Sequence, residues 1–366
     1  MPTRPTALKP AHIALAVAVT AVWGVNFVII EVGLDHFPPL LFSALRFALA
    51  AVPAIFFVKR PRVAWKWIVA VGLVLGGVKF GLLHIGMKAG MPAGLSSLVL
   101  QVQSVFTAVF AAVLLRERPT PVKLLGMALA LAGIGVAAFA HGLSGGITAF
   151  VLVIAAAAAW GLSNVLTRKA APDALLGWMV WVSAVPVLPL LTLSLVTEGP
   201  RADLAALAAI DLPGLGALAY AAVLSTLFGF GAWGFLLSKY EATSVAPFSL
   251  LVPVFGMTSA WALLGEAVNA VSLLAAALVI AGVALGVVGA RPVRRAPLTG
   301  PYRLAQSNIP QVGCCDEIQN PRPYPEPRTT RRTRTVDNPP PVDNPPLPST
   351  TPSASAPSAP APSPRR

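Results

Sequence analysis

Ten apolar runs, each long enough to cross a hydrocarbon core as a helix, leave this chain few ways to fold. They lie near 11–30, 40–58, 65–86, 91–115, 122–140, 147–167, 174–196, 212–236, 242–264 and 271–290. A bilayer core takes about 20 residues of helix. Backbone inside it must satisfy its own polar groups, which an α-helix does. Composition agrees, since 56% of the 366 residues are hydrophobic and only 11% are charged. A soluble domain carries about 25% charged residues. The expected fold class is all-α and integral to a membrane. The first run resembles a secretory signal, but it has no convincing cleavage site and contains Trp23 and Asn26, so it is read as a span.

The net charge of +13 does not mark a nucleic-acid partner, because the basic residues fall at the ends of the apolar runs. Alternate connections hold "KRPRVAWK" (59–66), "RERPTPVK" (116–123), Arg168 and Lys169, Lys239 and "RPVRR" (291–295). The other connections have only Lys88 and Arg201 as bases, against Glu31, Asp35, Glu198, Asp203, Asp211 and Glu266. The positive-inside rule then predicts that both termini are cytoplasmic. The lipid bilayer is the expected macroscopic partner and a small molecule the expected cargo. Cys314 and Cys315 are adjacent and make neither a disulfide framework nor a metal site of familiar spacing. They lie in a proline-rich tail, 300–366, with "VDNPPPVDNPP" and "SAPSAPAPSPRR", which reads as a disordered cytoplasmic extension. Truncation after Arg295 is expected to leave insertion and export intact.

The chain repeats itself. "LLRE" (114–117) aligns with "LLGE" (263–266), and "LAGIG" (131–135) with "IAGVA" (280–284), both at an offset of 149. "VWGVNFVIIEVG" (22–33) resembles "AWGLSNVLTRKA" (159–170), and "AVP" recurs at 51–53 and 184–186. Each half holds five spans. Five is odd, so the second half inserts upside down relative to the first. The organisation expected is 1–140 and 141–290 as two inverted five-helix repeats, then 291–366 as basic flank and tail. Inverted repeats characterise transporters with a site at the repeat interface.

"AVWGVNFVIIEVGL", "GMPAGLSSLVLQVQSVF", "RERPTP", "WGLSNVLTRK" and "YEATSVAPFSLLVPVFG" carry a family resemblance. The chain resembles the EamA family of the drug/metabolite transporter superfamily over residues 11–290, and within it the O-acetylserine/cysteine exporter type. The resemblance implies ten helices around a central cavity and export across the inner membrane. Lys79, in "GGVKFGLL", departs from it, because a neutral polar residue is expected there.

Polar residues inside apolar runs mark pathways or helix–helix bonds. Helical steps of about 100° put Ser97, Gln101 and Ser104 on one face and Ser96, Gln103 and Thr107 on another. Gln101 is expected on the pathway and Gln103 against a neighbouring helix. Arg46 and Lys79 are candidate cavity cations, the alternative for Arg46 being to snorkel to the headgroups. His84 is read as a satisfied interface residue or a proton carrier. Trp23, Asn26, Trp160 and Asn164 occupy repeat-related positions where an aromatic ring beside an amide suits a small zwitterion. Trp181 is a similar candidate. Glu117 and Glu266 end repeat-related runs and are expected to fix loop geometry. Pro53, Pro92, Pro186, Pro247 and Pro253 are candidate hinges.

No cofactor, metal or catalytic residue is expected. An intramembrane enzyme needs convergent acids, nucleophiles or metal ligands, and the carboxylates all lie in loops or near run ends. The expected function is inner-membrane export of amino acids or derivatives by alternating access. Export of another metabolite or a drug on the same scaffold, a lipid-modifying enzyme, and a scaffolding protein are the other readings.

Overall fold

The computed structural model describes residues 8–140, 146–240 and 242–288, all within one compact unit. The tail reading falls outside them. Eight helices are long and apolar enough to cross a membrane, and two shorter apolar ones, Pro39–Ile55 and Ala270–Gly286, stand where the second and tenth runs were expected. The described residues contain no strand.

In chain order the helices are α1 (Pro10–His36), α2 (Pro39–Ile55), α3 (Trp65–Lys88), α4 (Ala93–Leu115), α5 (Pro121–Ala140), α6 (Ile147–Ala170) and α7 (Leu175–Thr197). Then come a short α8 (Pro200–Ala208), α9 (Leu212–Lys239), α10 and α11 (Ala270–Val288). The helical run α10 comprises Ala242–Val245, Ala246–Leu250 and Leu251–Leu264.

Packing follows the repeat. α1 lies on α10, and its repeat mate α6 lies on α4; α2 meets α7; α5 meets α11. Glycines set the closest approaches. A Cβ at Gly24 of α1 would sit 2.5 Å from Phe255 Cβ of α10, and one at Gly161 of α6 would sit 2.7 Å from Phe106 Cβ of α4. Small residues let helices close without a hydrophobic driving force between them in lipid.

Apart from the break that splits α7, four spans depart from regular α geometry, in repeat-related pairs. α3 contains a π segment at Gly72–Lys79 and α9 one at Tyr220–Phe228. α4 tightens to a 3-10 turn at Leu100–Val102, and α10 does so at Ala246–Leu250. Such departures accompany functional sites. The proline expectations divide accordingly. Pro53 lies inside α2, Pro186 at the break that splits α7, Pro247 in the 3-10 turn and Pro253 buried in the last part of α10. Pro92 is the N-cap of α4 and bends nothing within it.

Candidate functional site

Two cations are buried at the centre. Arg46 of α2 is 1% exposed and Lys79 of α3 is 5% exposed. Arg46 does not snorkel. Its Nη2 donates to Thr226 Oγ1 at 3.2 Å and, more weakly, to the Ala221 carbonyl at 3.4 Å. Thr226 Oγ1 in turn donates to the Ala221 carbonyl five residues back, a bond natural to the widened π turn. Nε and Nη1 of Arg46 are buried without a partner among the described residues. Lys79 closes the other π segment. Its Nζ lies 3.3 Å from the centre of the Phe80 ring and 4.8 Å from that of Trp160. The same Phe80 ring lies 4.3 Å from the Arg46 guanidinium carbon. Lys79 makes no hydrogen bond or ion pair among the described residues.

Three more polar side chains are buried in this part of the bundle. His84 Nδ1 is 2.6 Å from Ser43 Oγ, which also donates to the Pro39 carbonyl, while Nε2 is buried and unmatched. Asn26 is buried with an unpartnered Oδ1. Trp23 donates its indole N–H to the Ser225 carbonyl, beside the Thr226 that anchors Arg46. A buried ion without a partner is expensive, and each unmatched donor costs about 1–3 kcal/mol. A ring face offsets part of this. The remaining deficit is one that an anion would fill.

Towards the basic connections, a cavity of about 260 Å³ is lined by Gln103, Ser104, Thr107, Lys123, Gly126, Asn164 and Gly282, among others. Asn164 Nδ2 donates to Gln103 Oε1 at 2.8 Å and to Thr107 Oγ1 at 3.2 Å. Asn164 is one helical turn from Trp160, whose ring lies under Lys79; neither Trp160 nor Lys79 lines the cavity itself. Near the acidic connections the corresponding space, beside Glu266, is only about 20 Å³, room for about one water.

The two glutamines have different surroundings. Gln103 lines the cavity; Gln101 is buried in the 3-10 turn and its amide donates to the Ser249 carbonyl of α10 at 3.3 Å. The two residues lie on opposite faces of α4 at either helical or 3-10 spacing, and the packing of α10 against α4 decides which face is covered. Trp181 is also displaced from the group. It bonds the Val58 carbonyl and packs on Trp65 at the basic end, apart from Arg46 and Lys79. Arg46, Lys79 and Trp160 gather around Phe80, and Asn164 joins Gln103 one turn away. Phe80, Thr226 and Ser43 complete the centre. None has a signal in the sequence, except that Phe80 follows an intramembrane lysine.

Glu117 and Glu266 do fix helix ends. The Glu266 carboxylate accepts from the backbone N–H groups of Ala93 and Gly94 at 2.7 and 3.0 Å, and Glu117 pairs with Arg168. Glu198, read only as a loop acid, accepts from the N–H groups of Leu40 and Leu41 at the start of α2.

Paired inverted repeats, broken helices at matching positions and an unneutralised polar centre define a multi-pass membrane transporter. More narrowly, the chain belongs to the EamA-like transporter family, whose pattern matches it twice, over residues 11–139 and 144–288. It is 42% identical to a "Probable amino-acid metabolite efflux pump" of Salmonella typhimurium, over 78% of this chain and 98% of that protein. A protein of the same description from Escherichia coli is 39% identical over 76% and 95%. A "Probable terminal-alkyne amino-acid exporter" of Streptantibioticus cattleyicolor is 29% identical over 76% and 94%. One crystal structure shares the fold at a TM-score of 0.54 and 18% identity, covering 78% of this chain and all of that one.

Proposed function

We propose that this transporter exports amino acids or their derivatives, such as cysteine and O-acetylserine, across the inner membrane. Both termini are cytoplasmic, ten helices span, and the cavity beside Gln103 opens inward. The observation that carries the reading is the pair of buried cations, Arg46 and Lys79, with no carboxylate partner among the described residues. A cargo carboxylate fits both the charge and the unmatched guanidinium donors. A planar guanidinium can grip it through two parallel charge-assisted bonds. The cavity is slightly smaller than the roughly 300–1,000 Å³ of drug-sized sites, which favours a metabolite over a drug. The descriptions of the relatives from Salmonella typhimurium and Escherichia coli support the same cargo class.

Efflux of labelled O-acetylserine or cysteine from preloaded vesicles, normalised to protein in the membrane, tests this. Hydrogen bonds to a charged group are worth about 1.5–3 kcal/mol, so Arg46→Gln is expected to weaken cargo binding roughly ten- to hundredfold. Arg46→Lys keeps the charge but not the fork and falls between. Near-parental efflux from both Arg46→Gln and Lys79→Gln at equal membrane levels refutes the carboxylate site. Efflux of a cationic dye with no amino-acid efflux favours a drug exporter instead.

A further inference from the structure

Three basic side chains converge on one ring. Lys79 Nζ lies 3.3 Å from the centre of Phe80, and the Arg46 guanidinium carbon lies 4.3 Å from it. The two charges are therefore within about 8 Å of each other, close enough to repel strongly where water is excluded. The His84 imidazole is 5.8 Å from the same ring, centre to centre. All three bases are buried. Arg46 keeps its charge at any physiological pH. Lys79 rests on two ring faces, Phe80 and Trp160, which is the setting of a cation. A ring face attracts a cation but brings no negative charge to cancel it.

The described carboxylates are engaged elsewhere. Glu117 pairs with Arg168, Glu198 and Glu266 hold the starts of α2 and α4, Asp211 caps α9, and Asp203 accepts from Ser194. Glu31 keeps one buried oxygen unmatched, but its charged neighbours are Asp35, Glu266 and Lys88, toward the acidic end. An ordinary amino acid would bring a carboxylate and an ammonium into the centre together. The carboxylate suits the unmatched donors of Arg46. The ammonium then enters a dry space beside Arg46 and Lys79, with no described carboxylate to meet it, and restores the charge that the carboxylate had cancelled. Burying it so is expensive, and like charges side by side reject a ligand. Acylating the amine removes that misfit and keeps the carboxylate. We infer that the preferred cargo is a net-anionic amino-acid derivative whose amine is masked as an amide, and that Lys79 sets this preference over zwitterions. The inference rests on the reading of the chain as an exporter of amino acids or their derivatives, and it narrows the cargo.

The test uses the full chain in membrane vesicles and two isomers. O-acetylserine and N-acetylserine contain the same atoms, but the first is a zwitterion and the second a monoanion. At pH about 6 the α-amine of O-acetylserine stays protonated, its ordinary pKa being about 8, so the acetyl group does not migrate to it. Efflux of each labelled isomer is measured from vesicles loaded at equal, low concentration and normalised to protein in the membrane. A buried polar group left without a partner is worth a factor of about ten or more, so the parent should export N-acetylserine at least about tenfold faster. Lys79→Gln should bring the ratio towards one, chiefly by slowing N-acetylserine. A merely structural role for Lys79 slows both isomers alike and leaves the ratio where it was. A parental ratio at or below one overturns the inference; if Arg46→Gln still slows O-acetylserine efflux, the amino-acid reading stands without it. A high ratio that Lys79→Gln does not lower overturns the role given to Lys79. Should Lys79→Gln fail to insert, Lys79→Met takes its place, and the parental ratio decides the cargo class with no variant at all. Export of neither isomer overturns the inference and the reading beneath it together.

Discussion

Arg46 is held by what the helix opposite has given up. Thr226 and the Ala221 carbonyl are available to it because α9 widens into a π turn there, and only one of its nitrogens is served. The rest of the guanidinium is poised, at a cost, for something absent from the chain itself. Gln103 is similar on a smaller scale. Its carbonyl is used by Asn164 and Thr107, and no described residue bonds its amide nitrogen. We predict that cargo protects Gln103→Cys from an aqueous thiol reagent and leaves Gln101→Cys unaffected. Protection at 101 alone would return the pathway to the opposite face of α4. A sequence shows that an intramembrane arginine, lysine and amide need partners, which is why Arg46, Lys79 and Asn164 stand out in it. It does not show which way they turn. Nothing in "LSSLVLQVQ" tells which of its two amides meets α10 and which meets the cavity, and Phe80 is one phenylalanine among 16.

The helices show what an offset of 149 can and cannot convey. The periodic matches propose which spans are mates but not which spans touch; that α1 lies on α10 comes from the structure, and α6 on α4 is its counterpart under the repeat. The π segments of α3 and α9 were invisible, since they contain no proline. Some helix ends are fixed by acids of the connections. Asp211 caps α9, accepting from the Gly214 N–H at 2.9 Å, and lies 3.0 Å from His36 Nε2 at the end of α1. The Gly214 N–H, helped by His36, holds the Asp211 carboxyl below its usual range against a smaller desolvation effect. A lowered carboxyl contributes stability that is complete above its unfolded value, about 4, and is lost as pH falls through the folded one. We therefore expect Asp211→Ala to lower Tm at pH 7 and to differ less from the parent near pH 3. A Tm difference that stays constant with pH would show that the cap acts without its charge.

At the scale of the molecule, the basic and acidic ends are separated along every span, and the buried cations lie between them. α2, with 17 residues, spans about 25 Å at 1.5 Å per residue, short of a core about 30 Å thick. Phe56 and Phe57, 81% and 87% exposed, follow it directly and extend its apolar length. Single cysteines should report the orientation. In intact cells an impermeant reagent is expected to label Arg201→Cys and not Arg62→Cys. The opposite pattern would invert the topology and, with it, the direction assigned to the cavity.

The meeting of α5 and α11 has a consequence for how selectivity could evolve. Gly126 and Gly282 touch main chain to main chain: a Cβ on Gly126 would lie 2.5 Å from the Gly282 oxygen. These same glycines, with Gly286, form one wall of the cavity. Between Lys123, Met127 and Val283, which line the cavity from the same two helices, the contact itself offers no side chain to lengthen, shorten or recharge, and any addition to either of these two glycines drives the helices apart. The gauge of the passage on this side is a backbone dimension. New cargo preferences would have to be written around it, on Lys123, Met127 and Val283 and on the facing side chains of α4 and α6.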